Sequence, residues 1–433
     1  MKSIFSNMPK NWVVKNLPDA FFFQEGPGVR KWQFREKGIK LLNGSNINNG
    51  TLDLANTKIH LDETEANGKY KHFLVNEGDL VIASSGVVVD NFHNKIAFVK
   101  KEHLPLCMNT STIRFKSLNL AIASLEFLKF FLKTNLFKLQ ISRLITGSAQ
   151  LNFGPSHLEK IQIPLPPLNN QIRIATVLTR AEKLIAKRKE SIRELDEFLK
   201  STFLEMFGDP VRNEKGWEVK ELGNLGYEFK YGTNTISDDK DSDDKIPILR
   251  IPNIVGEKIN HVDLKYSIID EKEKEKIRLK KGDLLFVRTN GNPAYIGRCA
   301  VFCDSIECGY ASYLIRVRLK DNSLVSANFI RDVISFPTYR HLVVAKAKTT
   351  AGNYNINTES LKSLKIYQPP PLLQSQFAAI VERVESLKSK YTQSLTELEN
   401  LYGSLSQRAF KGKLDLSRVP ERMGNDGVGG QNI

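Results

Sequence analysis

Few residues of this chain have types and spacing that could support chemistry, and the most specific group is Asn-Pro-Ala-Tyr at 292–295. It follows the apolar run LLFVRTNG and differs at Ala294 from the Asn-Pro-Pro-Tyr motif by which amino-methyltransferases hold a flipped base. No glycine-rich turn of the form Phe-x-Gly-x-Gly lies upstream to receive S-adenosylmethionine. The pattern favours a loop that contacts DNA over a catalytic loop, and an adenine methyltransferase remains the alternative.

A zinc site is the second chemistry that the sequence raises, because Cys299, Cys303 and Cys308 lie close together, with His261 and His341 farther away. Zinc sites usually combine two cysteine or histidine pairs at defined spacings, and the second pair is missing here. Cys299 and Cys303 fall on one face of a predicted strand, so we expect both to be buried as small apolar residues. No nucleophile elbow and no phosphate-binding loop occur either. The sequence therefore predicts no catalytic residue, no cofactor and no metal.

The sequence segments that must position these residues occur twice in the chain. The phrase IPLPPLNNQ, which ends at Gln171, returns as QPPPLLQSQ, which ends at Gln376. In the same order, EGDLVIASSG returns as KGDLLFVRTNG, and TGSAQLNF as TAGNYNI, each about 205 residues later. Periods of 20–50 residues indicate solenoids, whereas a period of this length indicates two copies of a whole module.

Each copy begins with about 150 residues in which short apolar runs such as DLVIAS, KIAFV and LIRVRL are bounded by Gly, Asn and Asp. Such runs are typical of strands joined by turns. One helical segment closes each copy, LEFLKFFLKTNLFKLQISRL in the first and ANFIRDVISFPTYRHLVVAKA in the second. We therefore predict the α+β fold class, with two tandem α+β domains.

A long helix follows each proline phrase. Apolar residues recur there at every seventh position, with a second set between them, which is the pattern of a coiled coil. The predicted seam of the first helix comprises Leu178, Ile185, Ile192, Leu199 and Met206, with Ala181, Arg188, Leu195 and Thr202 between them. The predicted seam of the second comprises Val384, Tyr391, Leu398 and Leu405, with Leu387, Ser394, Leu401 and Arg408 between them.

Connectivity predicts how the two helices pair. The first helix leaves the first domain and ends where the second domain begins, so a second helix that pairs with it must run back toward the first domain. The pair is then an antiparallel coiled coil, and the two domains are related by a pseudo-two-fold axis at its opposite ends. A helix over 171–206 is roughly 54 Å long at about 1.5 Å per residue.

The charge of the chain suggests a polyanionic partner. The net charge is +15 and the isoelectric point about 9.4, which favours nucleic acid first and an anionic membrane surface second. Two similar basic domains on a spacer suit double-stranded DNA, whose half-sites recur on one face about every 34–36 Å. A scaffold that binds only proteins is the alternative. Four cysteines, no secretory pattern at the start and no apolar run long enough to span a bilayer favour a cytoplasmic location.

The whole order of phrases resembles the specificity subunit of type I restriction–modification systems. The residues that carry the resemblance are QEGPGVRKWQF, GDL before a strand, the doubled Pro-Pro-Leu…Gln phrase, IVERVESL and AFKGKL. The resemblance implies two target-recognition domains that read a bipartite, asymmetric DNA site. It also implies two helical repeats that bind two methyltransferase subunits and the restriction subunits, which carry the chemistry.

These expectations divide the chain into five parts. They are a first recognition domain at 1–157, a first helical repeat at 158–210, a second recognition domain at 211–360, a second helical repeat at 361–414 and a disordered tail at 415–433.

Four polar loops hold the residue types that read base edges and phosphates. In the first domain the predicted DNA-binding residues are Arg30, Lys31, Trp32, Ser84, Ser85, Asn91, His93 and Lys95. In the second domain they are Lys230, Tyr231, Thr233, Asn234, Arg288, Thr289, Asn290, Asn292, Tyr295 and Arg298.

Overall fold

The computed structural model describes residues 8–55, 57–145, 150–304, 306–350 and 352–419. The chain divides into two compact units. Unit 1 comprises residues 1–189 and 393–433, and unit 2 comprises residues 190–392. Each unit therefore contains one predicted domain and a part of each long helix.

The domain in unit 1 is built from short strands and short helices, as its alternation of apolar runs and turn residues predicts. Its strands are β1 (Val13–Asn16), β2 (Phe21–Glu25), β3 (Ile39–Leu42), β4 (Ile47–Asn48), β5 (Thr51–Leu52), β6 (His60–Leu61), β7 (Leu80–Ala83), β8 (Val87–Val88), β9 (Ile96–Phe98), β10 (Leu106–Met108), β11 (Thr112–Ser117), β12 (Gln150–Leu151) and β13 (Gln162–Leu165). Its helices are α1 (Glu63–Asn67), α2 (Leu125–Leu132), α3 (Asn135–Leu144) and α4 (Pro155–Leu158), and the first long helix, α5 (Leu168–Phe207), begins in this unit.

Two sheets form the frame of this domain. The larger has the strand order β2-β11-β7-β9 with antiparallel neighbours, and the smaller has the order β10-β3-β6. Every residue of β7 is buried, which explains why this strand reads as a continuous apolar run. The helices begin at hydroxyl caps, since Ser124 and Thr134 accept the backbone N–H groups of Phe127 and Phe137.

Unit 2 repeats this plan. Its strands are β14 (Val219–Glu221), β15 (Gly226–Tyr231), β16 (Ile246–Leu249), β17 (Ile254–Val255), β18 (Lys258–Ile259), β19 (Lys265–Ser267), β20 (Leu284–Val287), β21 (Thr289–Asn290), β22 (Cys299–Val301), β23 (Gly309–Tyr310), β24 (Leu314–Leu319), β25 (Lys348–Thr350), β26 (Asn353–Asn355) and β27 (Lys365–Tyr367). Its helices are α6 (Leu222–Leu225), α7 (Glu271–Ile277), α8 (Ala327–Ser335), α9 (Pro337–Ala345), α10 (Thr358–Lys362) and the second long helix, α11 (Pro371–Phe410), which ends in unit 1.

The sheets of the two units correspond strand by strand. The larger sheet of unit 2 has the order β15-β24-β20-β22, and the smaller has the order β19-β16-β23. As in unit 1, the last strand before the long helix pairs with the first strand of the domain, β13 with β1 and β27 with β14. The predicted α+β fold class and the predicted duplication are confirmed.

The glutamine of each repeated proline phrase joins the domain to its long helix. The side chain of Gln171 is fully buried, accepts the N–H of Ser124 at 3.0 Å and donates to the carbonyl of Pro166 at 2.9 Å. In unit 2, Gln374 makes the equivalent bonds to Ser326 at 2.9 Å and to Pro369 at 2.8 Å. A buried amide must be satisfied, so the phrase carries the same side chain in both copies.

The two long helices are antiparallel within each unit. In unit 1 the hydroxyl of Tyr402 lies 3.3 Å from Glu182, and Glu399 pairs with Lys189 at 2.8 Å. Residue numbers therefore increase along α5 in the direction in which they decrease along α11. Unit 2 shows the same direction, because Lys388 pairs with Asp196 at 2.6 Å while the rings of Phe203 and Phe377 lie 5.5 Å apart. The prediction of an antiparallel pair is confirmed within each unit.

The predicted seam is correct for α5 and wrong at three of eight positions for α11. Val384, Tyr391, Ser394, Leu398 and Leu405 are buried or half-buried as predicted, but Leu387, Leu401 and Arg408 are exposed, the first two by 37% and 50%. The inner side of the second set is formed one residue later, by Lys388, Leu395, Tyr402 and Ala409. Each residue of the first set is therefore followed by an inward-facing residue four positions later, whereas the prediction placed that residue three positions later. Leu387 and Leu401 are exposed leucines at the predicted positions, which is why the sequence pattern indicated the wrong residues.

The end of each long helix completes the core of a domain. Phe410 of α11 packs on Phe127 of unit 1 with ring centroids 5.0 Å apart, and Phe207 of α5 packs on Phe329 of unit 2 at 4.8 Å. Each long helix therefore belongs partly to unit 1 and partly to unit 2. The predicted boundaries had instead assigned each long helix to a separate helical repeat. Leu416, which the prediction assigned to a disordered tail, packs on the core of unit 1. The rest of that predicted tail, residues 420–433, lies outside the described residues.

Candidate nucleic-acid interface

The polar loops of unit 1 leave its larger sheet at one edge. Glu25 of β2 lies opposite Ile113 of β11, and Ala83 of β7 lies opposite Thr112. Strands β2 and β7 therefore end at the edge of the sheet where β11 and β9 begin. The loops at 26–38, 84–95 and 109–111 all adjoin this edge. We call these three loops the first edge.

The first predicted loop presents its side chains to solvent. Arg30, Lys31 and Trp32 are exposed, Trp32 by 74%. The buried Gln33 fixes this turn, because its amide donates to the hydroxyl of Tyr70 at 3.1 Å. An exposed indole beside two cations on a fixed turn is suited to stacking on a base or packing on a sugar while the cations reach phosphates.

The second predicted loop of the first edge is divided between exposed and internal residues. Asn91, His93 and Ser85 are exposed. Ser84 is only 1% exposed, so its side chain is unavailable for direct contact with a ligand and we remove it from the candidate surface. The ammonium group of Lys95 lies 2.7 Å from Asn48 Oδ1, and burial lowers the pKa of this lysine, so it braces two loops.

The loops of unit 2 leave the equivalent edge. Tyr231 of β15 lies opposite Ile315 of β24, and Val287 of β20 lies opposite Leu314. We call the loops at 232–245, 288–298 and 311–313 the second edge. The predicted residues of unit 2 are thus gathered at one place in the sheet, as those of unit 1 are.

The first loop of the second edge exposes only some of the residues predicted for it. Lys230, which lies in β15 before this loop, is half-buried and forms an ion pair with Glu228, and Asn234 is exposed. Thr233 is 4% exposed, and its hydroxyl donates to Glu273 at 2.6 Å. Thr233 therefore holds the loop in place, and we remove it from the candidate surface.

The second loop of the second edge begins with a braced arginine. The guanidinium of Arg288 lies 4.6 Å from the ring centroid of Tyr231 and donates to the carbonyl of Ser312 at 3.1 Å. Both predicted residues are therefore engaged inside the protein, although each stays half-buried. Thr289 and Asn290, which follow Arg288, form strand β21.

The Asn-Pro-Ala-Tyr group forms a short turn at the second edge. Asn292 caps it, since its side-chain oxygen accepts the N–H of Ala294 at 2.9 Å. The guanidinium of Arg298 lies 4.2 Å from the ring centroid of Tyr295, and its Nε donates to the carbonyl of Ala294 at 3.0 Å. Tyr295 is exposed, so the turn offers an aromatic face with a cation fixed against it.

A segment that the sequence reasoning missed lies beside this loop. Strand β26 pairs with β21, so Asn355 lies opposite Thr289 and Tyr354 opposite Asn290, and β25 pairs with the other side of β26. The prediction omitted these residues because three-residue strands without apolar alternation give no strand pattern. The internal repeat could have indicated this segment, because TAGNYNI in the second copy corresponds to TGSAQLNF in the first.

Buried ion pairs stiffen both larger sheets at the end opposite to the edges, where β7 and β20 begin. The aspartate of each Gly-Asp-Leu phrase is buried, and Asp79 lies 3.6 Å from Arg114, while Asp283 lies 2.7 Å from Arg318. Arg316 of β24, which is 1% exposed, pairs with Glu228. The hydrogen bonds that Arg318 donates to Asp283, together with the negative charge of Asp283, raise the pKa of Arg318. The phrase Gly-Asp-Leu is thus structural in both copies.

The cysteines are divided between core and surface. Cys299 and Cys308 are buried, and burial raises the pKa of both thiols to about 12, so they are neutral in the folded protein. Cys303 is exposed, which corrects the expectation that it shares a buried face with Cys299, because β22 ends at Val301. Among the described residues no three His, Cys, Asp or Glu side chains form a metal-binding group. None of the described helices is long and apolar enough to cross a membrane.

The chain thus contains two copies of one mixed-sheet domain, each with polar loops at one edge of its larger sheet and each joined to a long helix. The sequence model of the type I restriction modification DNA specificity domain matches residues 9–196 and again 214–400. The chain belongs to this family, and the resemblance predicted from its phrases is confirmed.

Three relatives illustrate the match. The type I restriction enzyme EcoKI specificity subunit of Escherichia coli K12 is 24% identical over 431 residues, which cover 94% of this chain and 90% of the relative. A chain from a type I restriction–modification system, solved in a study of complex assembly and conformational transition, has a TM-score of 0.58 and 16% identity, covering 94% and 99% of the two chains. The S subunit from M. genitalium has a TM-score of 0.53 and 15% identity, covering 92% and 96%. Both structures share the fold of this chain.

Proposed function

We propose that this chain gives a type I restriction–modification complex its DNA sequence specificity by reading a bipartite, asymmetric site. The first edge reads one half-site and the second edge reads the other. The long helices dock two methyltransferase subunits and the restriction subunits, which carry out modification and cleavage. The chain itself contributes recognition and assembly.

The observation that carries this proposal is the pair of equivalent edges. Both arise from the same strand register, and both present exposed polar and aromatic side chains, among them Trp32 on the first and Tyr295 on the second. The side chains differ between the edges although the sheets do not. Two unlike half-sites require that equivalent sheets present different base-contacting side chains.

The charge supports a nucleic-acid partner. The chain has 63 lysine and arginine residues against 48 aspartate and glutamate residues, and several cations at the edges are exposed. Contacts between such cations and phosphates release counterions, so the observed binding constant should fall steeply with salt. This electrostatic contribution is independent of sequence and positions the base readers.

The long helices support the docking part of the proposal. Each carries large apolar side chains that are exposed although the helix pair is formed: Leu184, Phe198 and Leu204 on α5, and Leu372 and Leu401 on α11. Exposed apolar residues along one element are typical of surfaces that bind other proteins. Helices of the partner subunits are the occupants that we propose.

A binding experiment tests the proposal against both alternatives. The complex of this chain with its methyltransferase subunits should select a two-part motif from a pool of random duplexes, with an affinity that falls as salt increases. A complex without sequence preference would support a protein-only scaffold. Calorimetry of the isolated chain with S-adenosylmethionine addresses the other alternative, and a clear binding isotherm would support an adenine methyltransferase.

A further inference from the structure

The three-stranded sheet β21-β26-β25 forms a ribbon beside the second edge. Asn355 at the end of β26 lies opposite Thr289 of β21 on one side and opposite Lys348 of β25 on the other. Directly opposed residues point to the same face, and neighbouring strands lie about 4.8 Å apart. Thr289, Asn355 and Lys348 therefore form one row of polar side chains across the ribbon.

The row lies on the outer face. Tyr354, the neighbour of Asn355 in the strand, packs against the apolar core of unit 2. Successive residues of a strand point to opposite faces, so Asn355 and Asn353 point away from this core. Lys348 and Asn353 are exposed, and Asn355 is half-buried at the centre of the row.

The equivalent asparagine of unit 1 has a different role. Asn152 corresponds to Asn355, and its side-chain oxygen accepts both the hydroxyl of Ser85 and the N–H of Gly86 at 2.9 Å. The side-chain nitrogen of Asn355 donates to the carbonyl of Asn353 at 3.2 Å. In the part of the chain that the structure describes, the Asn355 oxygen receives no hydrogen bond, so it is available to a ligand.

We infer that the ribbon of β25 and β26 enters the major groove of the second half-site, where Asn355 reads an adenine and Lys348 contacts a phosphate. The inference rests on the proposed function, which it deepens by naming the element and the base type. The major groove is about 12 Å wide and admits a two-stranded ribbon. An asparagine amide can bond adenine N6 and N7 together, and a lysine serves a phosphate as a mobile cation.

Three variants of unit 2 test this inference in the complex with the methyltransferase subunits. Asn355→Ala should lose discrimination at one adenine–thymine pair of the second half-site, by roughly tenfold to a hundredfold, with every other position unchanged. Lys348→Ala should weaken binding to all duplexes alike and lower the salt slope by about one. Thr349→Ala is the matched control, because Thr349 is exposed on the opposite face of the ribbon, and it should change neither quantity.

Asn355→Gln guards against a folding defect, since glutamine can also bond adenine through both atoms and should retain part of the preference. Loss of preference in Asn355→Ala with partial recovery in Asn355→Gln supports the inference. Unchanged preference in Asn355→Ala, while the wild-type complex still selects a two-part motif, overturns the inference alone. A wild-type complex that selects no two-part motif overturns the proposed function first.

Discussion

The two units have the same frame and fill it with different side chains. Phe410 on Phe127 in unit 1 matches Phe207 on Phe329 in unit 2. Beside this shared contact, unit 2 stacks Phe203 on Phe336 with centroids 4.8 Å apart. In unit 1, a groove of about 780 Å³ lies beside the shared contact and is lined by residues that include Thr134, Asn135, Tyr402, Ser406 and Gln407.

The long helices differ in the same way. In unit 1, Glu182 of α5 accepts hydrogen bonds from Lys129 at 3.0 Å and Lys133 at 2.6 Å, so a half-buried ionic cluster joins the helix to the domain. In unit 2, Glu385 of α11 pairs with Lys258. The residues that both units keep are those that fix the frame, namely the serine caps Ser124 and Ser326, the buried glutamines and the Gly-Asp-Leu aspartates. Under the proposed function, we expect that specificity can change in one unit without change in the other.

The largest expected effect comes from exchanging the domain of unit 2. Replacing residues 217–364 with the equivalent segment of a relative that modifies a different site should change the second half-site and preserve the first, because each edge is built within one unit. Mapping the modified positions in the DNA of cells that carry each variant measures this. A changed first half-site would show that the readers are not independent.

The frame on which this exchange depends could be predicted largely from the sequence, because it rests on strong local patterns. Repeated phrases revealed the duplication, and heptads revealed the helices. Part of the predicted seam of α11 was wrong because Leu387 and Leu401 are exposed apolar residues. A hydrophobic pattern in the sequence cannot distinguish exposed apolar residues from buried ones.

The candidate site could be predicted only in outline. Gly and Asn turns identified the loops, but burial of Ser84 and Thr233 depends on contacts with residues far away in the chain. The ribbon containing Lys348 and Asn355 was missed because it is defined by pairing with β21, and such pairing leaves no periodic pattern. Tertiary contacts of this kind are what the sequence of a single chain conceals.

The next largest effect concerns the aromatic contact that both units share. Phe410→Ala and Phe207→Ala should each lower the free energy of unfolding by about 3–5 kcal/mol, since both rings are buried. Amide hydrogen exchange should increase in α2 and α3 for the first variant and in α8 and α9 for the second. Leu401→Ala is the exposed control. Equal increases in both units for either variant would contradict the separation of the two cores.

A smaller effect separates the corrected seam of α11 from the predicted one. Leu398→Lys should destabilise the helix pair by about 2 kcal/mol, because it places an unpaired ammonium group in a half-buried apolar position. Leu401→Lys, three residues further, should leave stability nearly unchanged because Leu401 is 50% exposed. Chemical denaturation of both variants measures the difference. Equal loss in both would restore the original assignment of the seam.

The smallest effect tests the ionic cluster around Glu182 in unit 1. Burial by itself would raise the pKa of Glu182, but Lys133 and Lys129 outweigh it and the pKa is lowered. The carboxylate therefore contributes stability above the unfolded-state pKa, and this contribution is lost as pH falls through the lower folded-state pKa.

Glu182→Gln should accordingly cost about 1.5 kcal/mol at neutral pH, and the difference from the wild type should shrink in acid. Glu190→Gln is the control, because Glu190 forms an exposed pair with Arg193 and should cost less than about 0.5 kcal/mol. Unfolding curves at several pH values measure both. A Glu182→Gln difference that stays constant from neutral to acid pH would mean that the charge of Glu182 does not matter.

The central claim is that the two edges read two unlike half-sites, and sequencing modified bases in the native genome tests it most directly. We predict one motif that depends on this chain, with two different half-sites separated by a fixed gap of unspecified bases. The motif should disappear when the chain is deleted and return when it is supplied again. A continuous motif, or two identical half-sites, would contradict the account.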